Sequence, residues 1–259
     1  MLFTISAKFF WRLMGLAKKI IVKSISAKDA NEICKKIHYS GKVVPNSQLH
    51  LGVFLDGKCH GVMQFGPSMR KDLTINLVKD TKWNGFIELN RMAFSDFLPK
   101  NSESRALSIA HNIIKKNYPH IEWIVSFADA CQCGDGTIYR ASGYLLTQIK
   151  KNTTMFKNTK TGETKQQMQF FHQMIKKGDD WKPIAGYMLR YIYFLNVDAR
   201  KRIATDVIDY KNIKAMGVNM YKGMRASSVE SGTSSYQGEG NGESPIDALQ
   251  LKESLHENN

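Results

Sequence analysis

Residues Phe86–Tyr144 read FIELNRMAFSDFLPKNSESRALSIAHNIIKKNYPHIEWIVSFADACQCGDGTIYRASGY. The pattern predicts a strand, a polar turn, an amphipathic helix, a second strand and a short helix. The strands are predicted over Phe86–Phe94 and Ile121–Phe127, which are rich in Ile, Val, Phe and Trp. Pro99 and Pro119 bracket the helix. This strand–helix–strand order predicts an α/β domain.

The helix between the two prolines has one apolar face and an N-terminal end suited to an anion. Its apolar residues at helical spacing are Ala106, Ala110, Ile113 and Ile114. Asn101 and Ser102 are candidates for the N-cap. The N–H groups of a first turn, at the positive end of the helix dipole, are a natural seat for a pyrophosphate. An ordinary strand–helix–strand unit without a ligand explains the same spacing, and this segment has no glycine-rich phosphate loop.

Two runs, Glu88–Ala110 (ELNRMAFSDFLPKNSESRALSIA) and Phe127–Tyr144 (FADACQCGDGTIYRASGY), resemble the bacteriophage Mom family of DNA modification proteins. HYSG at His38–Gly41 and RYIYFL at Arg190–Leu195 extend the resemblance at either end. The Mom family is a divergent branch of the GNAT acyltransferase superfamily. The resemblance therefore implies a GNAT-like α/β fold: a mixed, mostly antiparallel sheet with flanking helices and an acyl-CoA cleft between splayed central strands.

The resemblance also implies an activity. Members of the family bind acetyl-CoA and iron, convert the exocyclic amine of adenine in DNA to a carbamoylmethyl (methylcarbamoyl) derivative, and so protect phage DNA from host restriction. We expect an acyl-CoA-dependent, DNA-modifying transferase. A carbamoylmethyl group is joined through the methyl carbon of the acetyl group, which is not electrophilic, and a positioned base does not make it so. A redox-active metal is one route around this difficulty.

The resemblance assigns roles to particular residues of this chain. The catalytic candidates are His38, Tyr39, Arg91, Ser104, Asp129 and Tyr139. The metal-binding candidates are His38, Tyr39 and Asp129, a nitrogen and oxygen donor set that suits iron. The candidates for binding acetyl-CoA are Arg91, Asn101, Ser102, Ser104 and Arg105. Glu88 ranks lower, as a base on the central strand. Each residue also has an ordinary explanation as a helix cap, a turn former or a core tyrosine with a satisfied hydroxyl.

The charge of the chain favours a polyanionic partner. The net charge is +14, but residues 226–259 hold one lysine against six acidic residues, so residues 1–225 carry +19. Such a charge suits DNA, although a solvated lysine-rich surface explains it as well. The candidate contacts are Arg70, Lys71, Lys79, Lys82, Lys157, Lys160, Lys165, Arg200, Lys201 and Arg202.

An enzyme that acts on the amine of a paired adenine needs a flipped base or single-stranded DNA. Phe65, Trp83 and Phe97 are candidates to stack on such a base, with core packing as the more ordinary use of each.

The predicted organisation is an N-terminal extension (residues 1–18), a catalytic domain (19–225) and a disordered acidic tail (226–259), rich in Ser, Gly, Glu and Asn. Met14 is an alternative start. We find no export signal and no segment of transmembrane length, and therefore expect a protein of the host cytoplasm without a membrane partner. Cys131 and Cys133 do not complete a tetrahedral metal site, and the four cysteines suit a reduced compartment.

The remaining elements follow from local patterns. The predicted strands are Lys19–Ser26, Leu49–Asp56, His60–Phe65, Leu145–Ile149, Met168–Met174 and Met188–Leu195. A helix is predicted over Asp29–His38, with Ile33, Ile37 and either Cys34 or Ala30 facing the core. Asp56-Gly57 is a hairpin turn signal.

Two other classes of function remain open at this point. A conventional GNAT N-acetyltransferase that acts on a small amine or a protein lysine would need no iron and would add one acetyl group. A DNA-binding protein with a decayed acyl-CoA site would bind DNA but not acetyl-CoA.

Overall fold

The structure is a computed structural model that describes residues 17–130, 134, 136–166, 180–218, 220–221 and 224–225. Several sequence predictions fall outside these residues: most of the N-terminal extension with Met14, the pair Cys131 and Cys133, the strand Met168–Met174, and the acidic tail.

The strands are β1 Ile21–Ser24, β2 Leu49–Leu55, β3 Lys58–Gly66, β4 Phe86–Phe94, β5 Trp123–Asp129, β6 Leu145–Asn158, β7 Thr164–Gln166, β8 Trp181–Phe194, β9 Met220–Tyr221 and β10 Met224–Arg225. The helices are α1 Ala27–Ile37, α2 Lys71–Thr74, α3 Ser102–Asn117, α4 Thr137–Ala141, α5 Val197–Lys201 and α6 Lys211–Ala215. Short 3₁₀ turns lie at Ala17–Lys19 and Ile75–Leu77. The predicted bounds of β4 are correct, whereas β6 and β8 extend well beyond the predicted strands.

Eight strands form one sheet in the order β1-β2-β3-β4-β5-β8-β6-β7. Neighbouring strands in this sheet run antiparallel except for β4 and β5, which are parallel and are connected through α3. The predicted GNAT-like fold, a mixed and mostly antiparallel sheet with flanking helices, is confirmed by this topology.

The β2–β3 hairpin confirms the Asp-Gly turn signal. Asp56 has φ 50° and Gly57 has φ 82°, so both central residues of the turn adopt positive φ. That geometry matches the right-handed twist of the two strands, and it explains why a short polar residue and a glycine stand at these positions.

The two parallel strands part after a short paired segment. Phe86–Leu89 of β4 pair with Trp123–Ser126 of β5. Beyond that segment, Arg91–Phe94 pair with β3 and Phe127–Asp129 pair with β8. The backbone edges of β4 and β5 are therefore separate beyond Leu89 and Ser126, which is the expected cleft between splayed central strands.

Helices cover both faces of the sheet. On one face α1 packs Ala30, Ile33 and Cys34 against Val62 and Ala93. The predicted inward residues of this helix are thus confirmed, and Ile37 packs at the edge of the same cluster.

On the opposite face α3 buries Ala106, Leu107, Ala110 and Ile114 in the largest core cluster, where Ile113 packs at the edge. Side chains alternate along β5, so Val125 faces the α1 side and Ile124 faces the α3 side. The same alternation puts Phe127 and Asp129 on the α1 side, and Ser126 on the α3 side.

None of the described helices has the length and apolar character needed to cross a membrane.

Candidate functional site

A cavity of about 890 Å³ lies where β4 and β5 separate, on the α1 side of the sheet. Four of the predicted site residues line it: His38, Tyr39, Arg91 and Asp129. Glu88, the lower-ranked candidate, also lines it. These residues come from the end of α1, from β4 and from the end of β5. Only the tertiary fold brings the three segments together.

His38 and Tyr39 lie at the end of α1, where the chain leaves the helix. His38 is the C-cap, and its amide donates to the Cys34 carbonyl. The two rings stack with centroids 4.2 Å apart. Burial, and secondarily the charge of Arg91, lowers the pKa of His38 to about 4. The imidazole is therefore neutral near pH 7.

Arg91 fixes the segment after α1 to the central strand. Its Nε donates to the carbonyl of Lys42 at 3.1 Å, and its Nη1 donates to the carbonyl of Asn90 at 2.8 Å. The guanidinium thereby holds the loop that follows His38 against the cavity, and it brings a permanent positive charge close to the imidazole.

Two carboxyl groups of the cavity come from the two strands that part. Asp129 is the last residue of β5 and is buried. Burial raises the pKa of Glu88, and hydrogen bonds from Ser68 and Asn90 and the charge of Arg91 oppose that rise. The cavity thus combines a neutral imidazole, a guanidinium and two carboxyl groups.

Tyr139 approaches the same split from the opposite face. It lies on α4, and its hydroxyl accepts a hydrogen bond from Ser126 Oγ at 2.9 Å. Its ring stacks on Tyr191 with centroids 4.5 Å apart. Because Ser126 is the last β5 residue paired with β4, the hydroxyl of Tyr139 lies at the point where the strands begin to part.

Gly136, immediately before α4, permits this approach. It has φ 71°, and a Cβ at this position would overlap the Tyr191 hydroxyl. A side chain at position 136 is therefore excluded by contact as well as by backbone conformation.

The predicted acetyl-CoA residues other than Arg91 lie at the start of α3, outside the cavity lining. Asn101 is the N-cap, as predicted, with φ 70°, and its side chain makes no capping hydrogen bond to the first turn. Ser102 Oγ is buried and has no hydrogen-bond partner among the described residues. Ser104 Oγ donates to the Asn101 carbonyl at 3.2 Å, and Arg105 Nη2 donates to the Lys18 carbonyl at 3.4 Å. A buried hydroxyl at a helix N-terminus fits an anionic phosphate group.

The donor types of His38, Tyr39 and Asp129 fit iron. Within the described part of the chain, no three His, Cys, Asp or Glu side chains converge as a metal site. Ser40 occupies the Nδ1 edge of the His38 ring, with its Oγ 2.8 Å and its amide nitrogen 3.1 Å from Nδ1, so Nε2 is the ring nitrogen that would bind a metal. Arg91 brings a positive charge close to the ring, and the carboxyl groups of Asp129 and Glu88 in the same cavity would offset it for a bound cation.

Exposed apolar side chains and cations surround the cavity. Tyr39, Met69 and Phe127 line it and are 53%, 84% and 39% exposed. Lys42, Arg70 and Lys165 also line it. Sequence reasoning missed Met69, Phe127 and Lys42, because exposure on a strand or loop depends on the packing of neighbouring elements.

The aromatic residues that were candidates to stack on a base have different environments. Phe65 is fully buried in the core, which confirms its ordinary explanation. Trp83 and Phe97 are 60% and 62% exposed, so core packing is the wrong explanation for both.

Several predicted DNA-contacting cations form surface ion pairs: Arg70 with Asp72, Lys160 with Asp180, Lys165 with Glu163, and Lys201 with Asp198, at 2.8 to 3.1 Å. Such exposed pairs are weak, so they do not prevent contact with phosphate.

Comparison with known proteins connects this site to a family. The family model described as the Mom protein family matches residues 19–212. A curated relative named methylcarbamoylase mom, from Escherichia phage Mu, is 36% identical over 209 residues, which cover 73% of this chain and 81% of the relative.

Solved acetyltransferase structures resemble the chain more distantly. Spermidine/spermine N-acetyltransferase from Vibrio cholerae is 6% identical with a TM-score of 0.44, covering 72% of this chain and 98% of that one. An acetyltransferase from Salmonella typhimurium with its cofactor acetyl-CoA is 10% identical with a TM-score of 0.43, covering 68% and 94%. Because both TM-scores are below 0.5, the fold is assigned from the strand topology and not from these structures.

Proposed function

The chain belongs to the Mom protein family, and we propose that it is a phage-encoded enzyme that modifies adenine in DNA. In this proposal it converts the exocyclic amine of adenine to a carbamoylmethyl derivative, uses acetyl-CoA and iron, and protects phage DNA from host restriction. The single observation that carries the proposal is the 36% identity to the phage Mu methylcarbamoylase over 209 residues. The cavity supports it, because four predicted site residues line one space.

DNA as the substrate agrees with the surroundings of the cavity. Tyr39 and Phe127 offer exposed ring faces on which an extruded base can stack. Lys42 and Arg70 supply positive charge at the same opening for the flanking phosphates. The cavity can hold the adenine, and the surrounding cations can offset the cost of removing it from the duplex.

Acetyl-CoA agrees with the split and with the start of α3. The separated edges of β4 and β5 leave room between them for an extended thioester arm. The buried Ser102 hydroxyl and the first turn of α3 suit the pyrophosphate. Arg91 lies on β4 and lines the cavity next to the split. Tyr139 contacts the split from the other face of the sheet.

Iron is part of the proposal because a carbamoylmethyl product is joined through a methyl carbon that is not electrophilic. If bound, iron would supply redox chemistry at the methyl carbon of acetyl-CoA, and His38, Tyr39 and Asp129 are the residues that would hold it. Joining that carbon to the amine replaces a C–H bond, which is a two-electron oxidation that needs an oxidant such as dioxygen, and forming the amide needs an ammonia-level nitrogen that displaces CoA. The carboxyl group of Glu88, which also lines the cavity, would bind and orient the adenine amine and exchange its protons.

The proposed catalytic domain comprises residues 19–225, with an extension at 1–18 and an acidic tail at 226–259. The family match at residues 19–212 supports the first boundary. We propose the host cytoplasm as its location, since its DNA substrate is there.

The test is mass spectrometry of nucleosides from DNA of cells that express the chain. A carbamoylmethyl-deoxyadenosine peak, absent from cells with an empty vector, is expected. Unmodified adenine with soluble, iron-loaded protein would contradict the proposal.

Iron requires its own measurement. His38→Ala and Asp129→Ala proteins should contain less iron than wild type and form no modified base, whereas Asp96→Ala, at an exposed site outside the cavity lining, should match wild type. If the two cavity variants lose iron yet still form the product, the metal assignment is wrong.

One observation favours a second candidate, a conventional N-acetyltransferase acting on a small amine or a protein lysine. Glu88 has a raised pKa and lines the cavity, as a base for an ordinary amine would. That enzyme would work without iron and would give a product heavier by one acetyl group.

A further inference from the structure

A second, smaller cavity adjoins the first. It measures about 400 Å³ and lies at the start of β4, beside the end of α3. Ser68, Met69 and Arg70 line the large cavity, whereas Pro67 and Lys71 line the small one. Residues 67–71 therefore form a wall shared by the two spaces. The small cavity lies at the C-terminal end of α3, whereas acetyl-CoA is proposed to bind at the start of that helix.

The side chains of the small cavity suit a nucleobase. Gln48 and Asn84 bring two amides, Tyr118 brings a half-exposed ring, and Lys71 and His120 bring a cation and an imidazole. Amides read the donor and acceptor pattern of base edges, and aromatic faces stack on bases of any type. The floor is apolar, formed by Leu49, Phe86 and Ile121.

Two contacts prepare the polar groups for a ligand. Lys71 Nζ donates to Asn84 Oδ1 at 3.0 Å and lies over the Trp83 ring at 4.7 Å from its centroid. Lysine donates only, so the carbonyl of Asn84 must face Lys71. The amide NH₂ of Asn84 is then the group that can donate to an acceptor on a base.

We infer that this cavity binds a nucleotide that flanks the modified adenine in the same DNA strand, and that Asn84 and Gln48 read its base. The inference rests on the proposed function. Three observations support it: the shared wall, the size of the cavity and the positive charge of Lys71. The volume lies within the range of about 300–1,000 Å³ that is typical of ligand pockets. The cavity sets the sequence context in which adenine is modified.

The test uses single-stranded oligonucleotides with one adenine, in which each flanking nucleotide in turn is made abasic. We expect wild-type affinity to fall about tenfold at one flanking position, the size expected from loss of one stacked base. An Asn84→Ala, Tyr118→Ala double variant should lose this position effect but keep its dependence on the adenine. Asn112→Ala, at an exposed position on α3, is the matched control and should behave as wild type. A double variant with the wild-type profile would overturn the inference.

A second measurement does not depend on adenine modification. Oligonucleotides carrying bromouracil at each position are photo-crosslinked, and the attached peptides are mapped. A crosslink to the peptide that contains Tyr118 is expected at one position. If DNA crosslinks elsewhere on the protein but never to that peptide, the inference is wrong even where the proposed function holds. Absence of carbamoylmethyl-adenine alongside a Tyr118 crosslink would instead contradict the proposed function alone.

Discussion

The two sides of the β4–β5 split contrast in how their polar side chains are used. On the α1 side, His38, Arg91 and Asp129 line an open cavity. On the α3 side, tyrosines and a histidine contact one another in the core. His111 Nε2 and the Tyr144 hydroxyl are 3.0 Å apart, and the His111 ring stacks 3.7 Å from Tyr193.

The difference shows that a residue type does not by itself indicate a ligand site. His38 and His111 are both buried enough to have lowered pKa values, about 4 and about 3. His38 lines a cavity, whereas the buried His111 pairs with the hydroxyl of Tyr144, which is itself buried. Tyr139 combines the two situations, because it packs in the aromatic cluster and also contacts Ser126 at the split.

The largest expected effect is on the cavity side. Asp129→Asn keeps the shape of the side chain but removes the charge with which it would hold iron, so DNA modification should fall by about 100-fold, the scale of a disturbed metal site. Nucleoside mass spectrometry measures the fall, with Asp96→Asn as the exposed control. Retention of wild-type activity by Asp129→Asn would remove Asp129 from the proposed chemistry.

The next effect separates two tyrosines of the same cluster. Tyr139→Phe should lower DNA modification about tenfold, because the Tyr139 hydroxyl lies at the split. Tyr144→Phe should instead lower the free energy of unfolding by about 1–3 kcal/mol, because it leaves His111 without its hydrogen-bond partner. Activity per folded molecule and urea denaturation measure the two effects. If both variants lose only stability, Tyr139 belongs wholly to the packed side.

Stability should fall in mild acid because of the packed side. Burial lowers the folded-state pKa of His111 to about 3, so between that value and the unfolded value near 6.5 only the unfolded chain binds the proton. The resulting loss at pH 5, relative to neutral pH, is about 2 kcal/mol. Denaturation at pH 7 and pH 5 measures it. His38 adds a loss in the same direction.

A His111→Gln variant should show a smaller drop than wild type over this range, whereas His120→Gln, at an exposed position, should show the wild-type drop. An unchanged drop in His111→Gln would contradict the assignment.

The smallest expected effect is on the opening of the cavity. Lys42→Ala should reduce the slope of log affinity for DNA against log salt by about one, similarly for all sequences. Lys116→Ala, at the exposed end of α3 on the other face, should leave the slope unchanged. Equal slopes for Lys42→Ala and wild type would place the DNA elsewhere.

Much of the site could be predicted from short motifs, but its division into two sides could not. The resemblance brought His38, Arg91, Asp129 and Tyr139 into one list, and three of them do share a cavity. The second cavity was not predicted, because Gln48, Asn84 and Tyr118 are far apart in sequence and belong to no motif. Their proximity arises because β2 and β4 begin, and α3 ends, at the same edge of the sheet.

The sequence by itself determined the local elements. Alternating apolar residues, helical spacing, prolines and the Asp56-Gly57 turn act within a few residues, so β4, α1, α3 and the β2–β3 hairpin could be placed from them. The tertiary structure decided where β4 and β5 part and which face each side chain meets. That outcome depends on strand pairing over long sequence distances, since the register after Leu89 and Ser126 is set by β3 and β8.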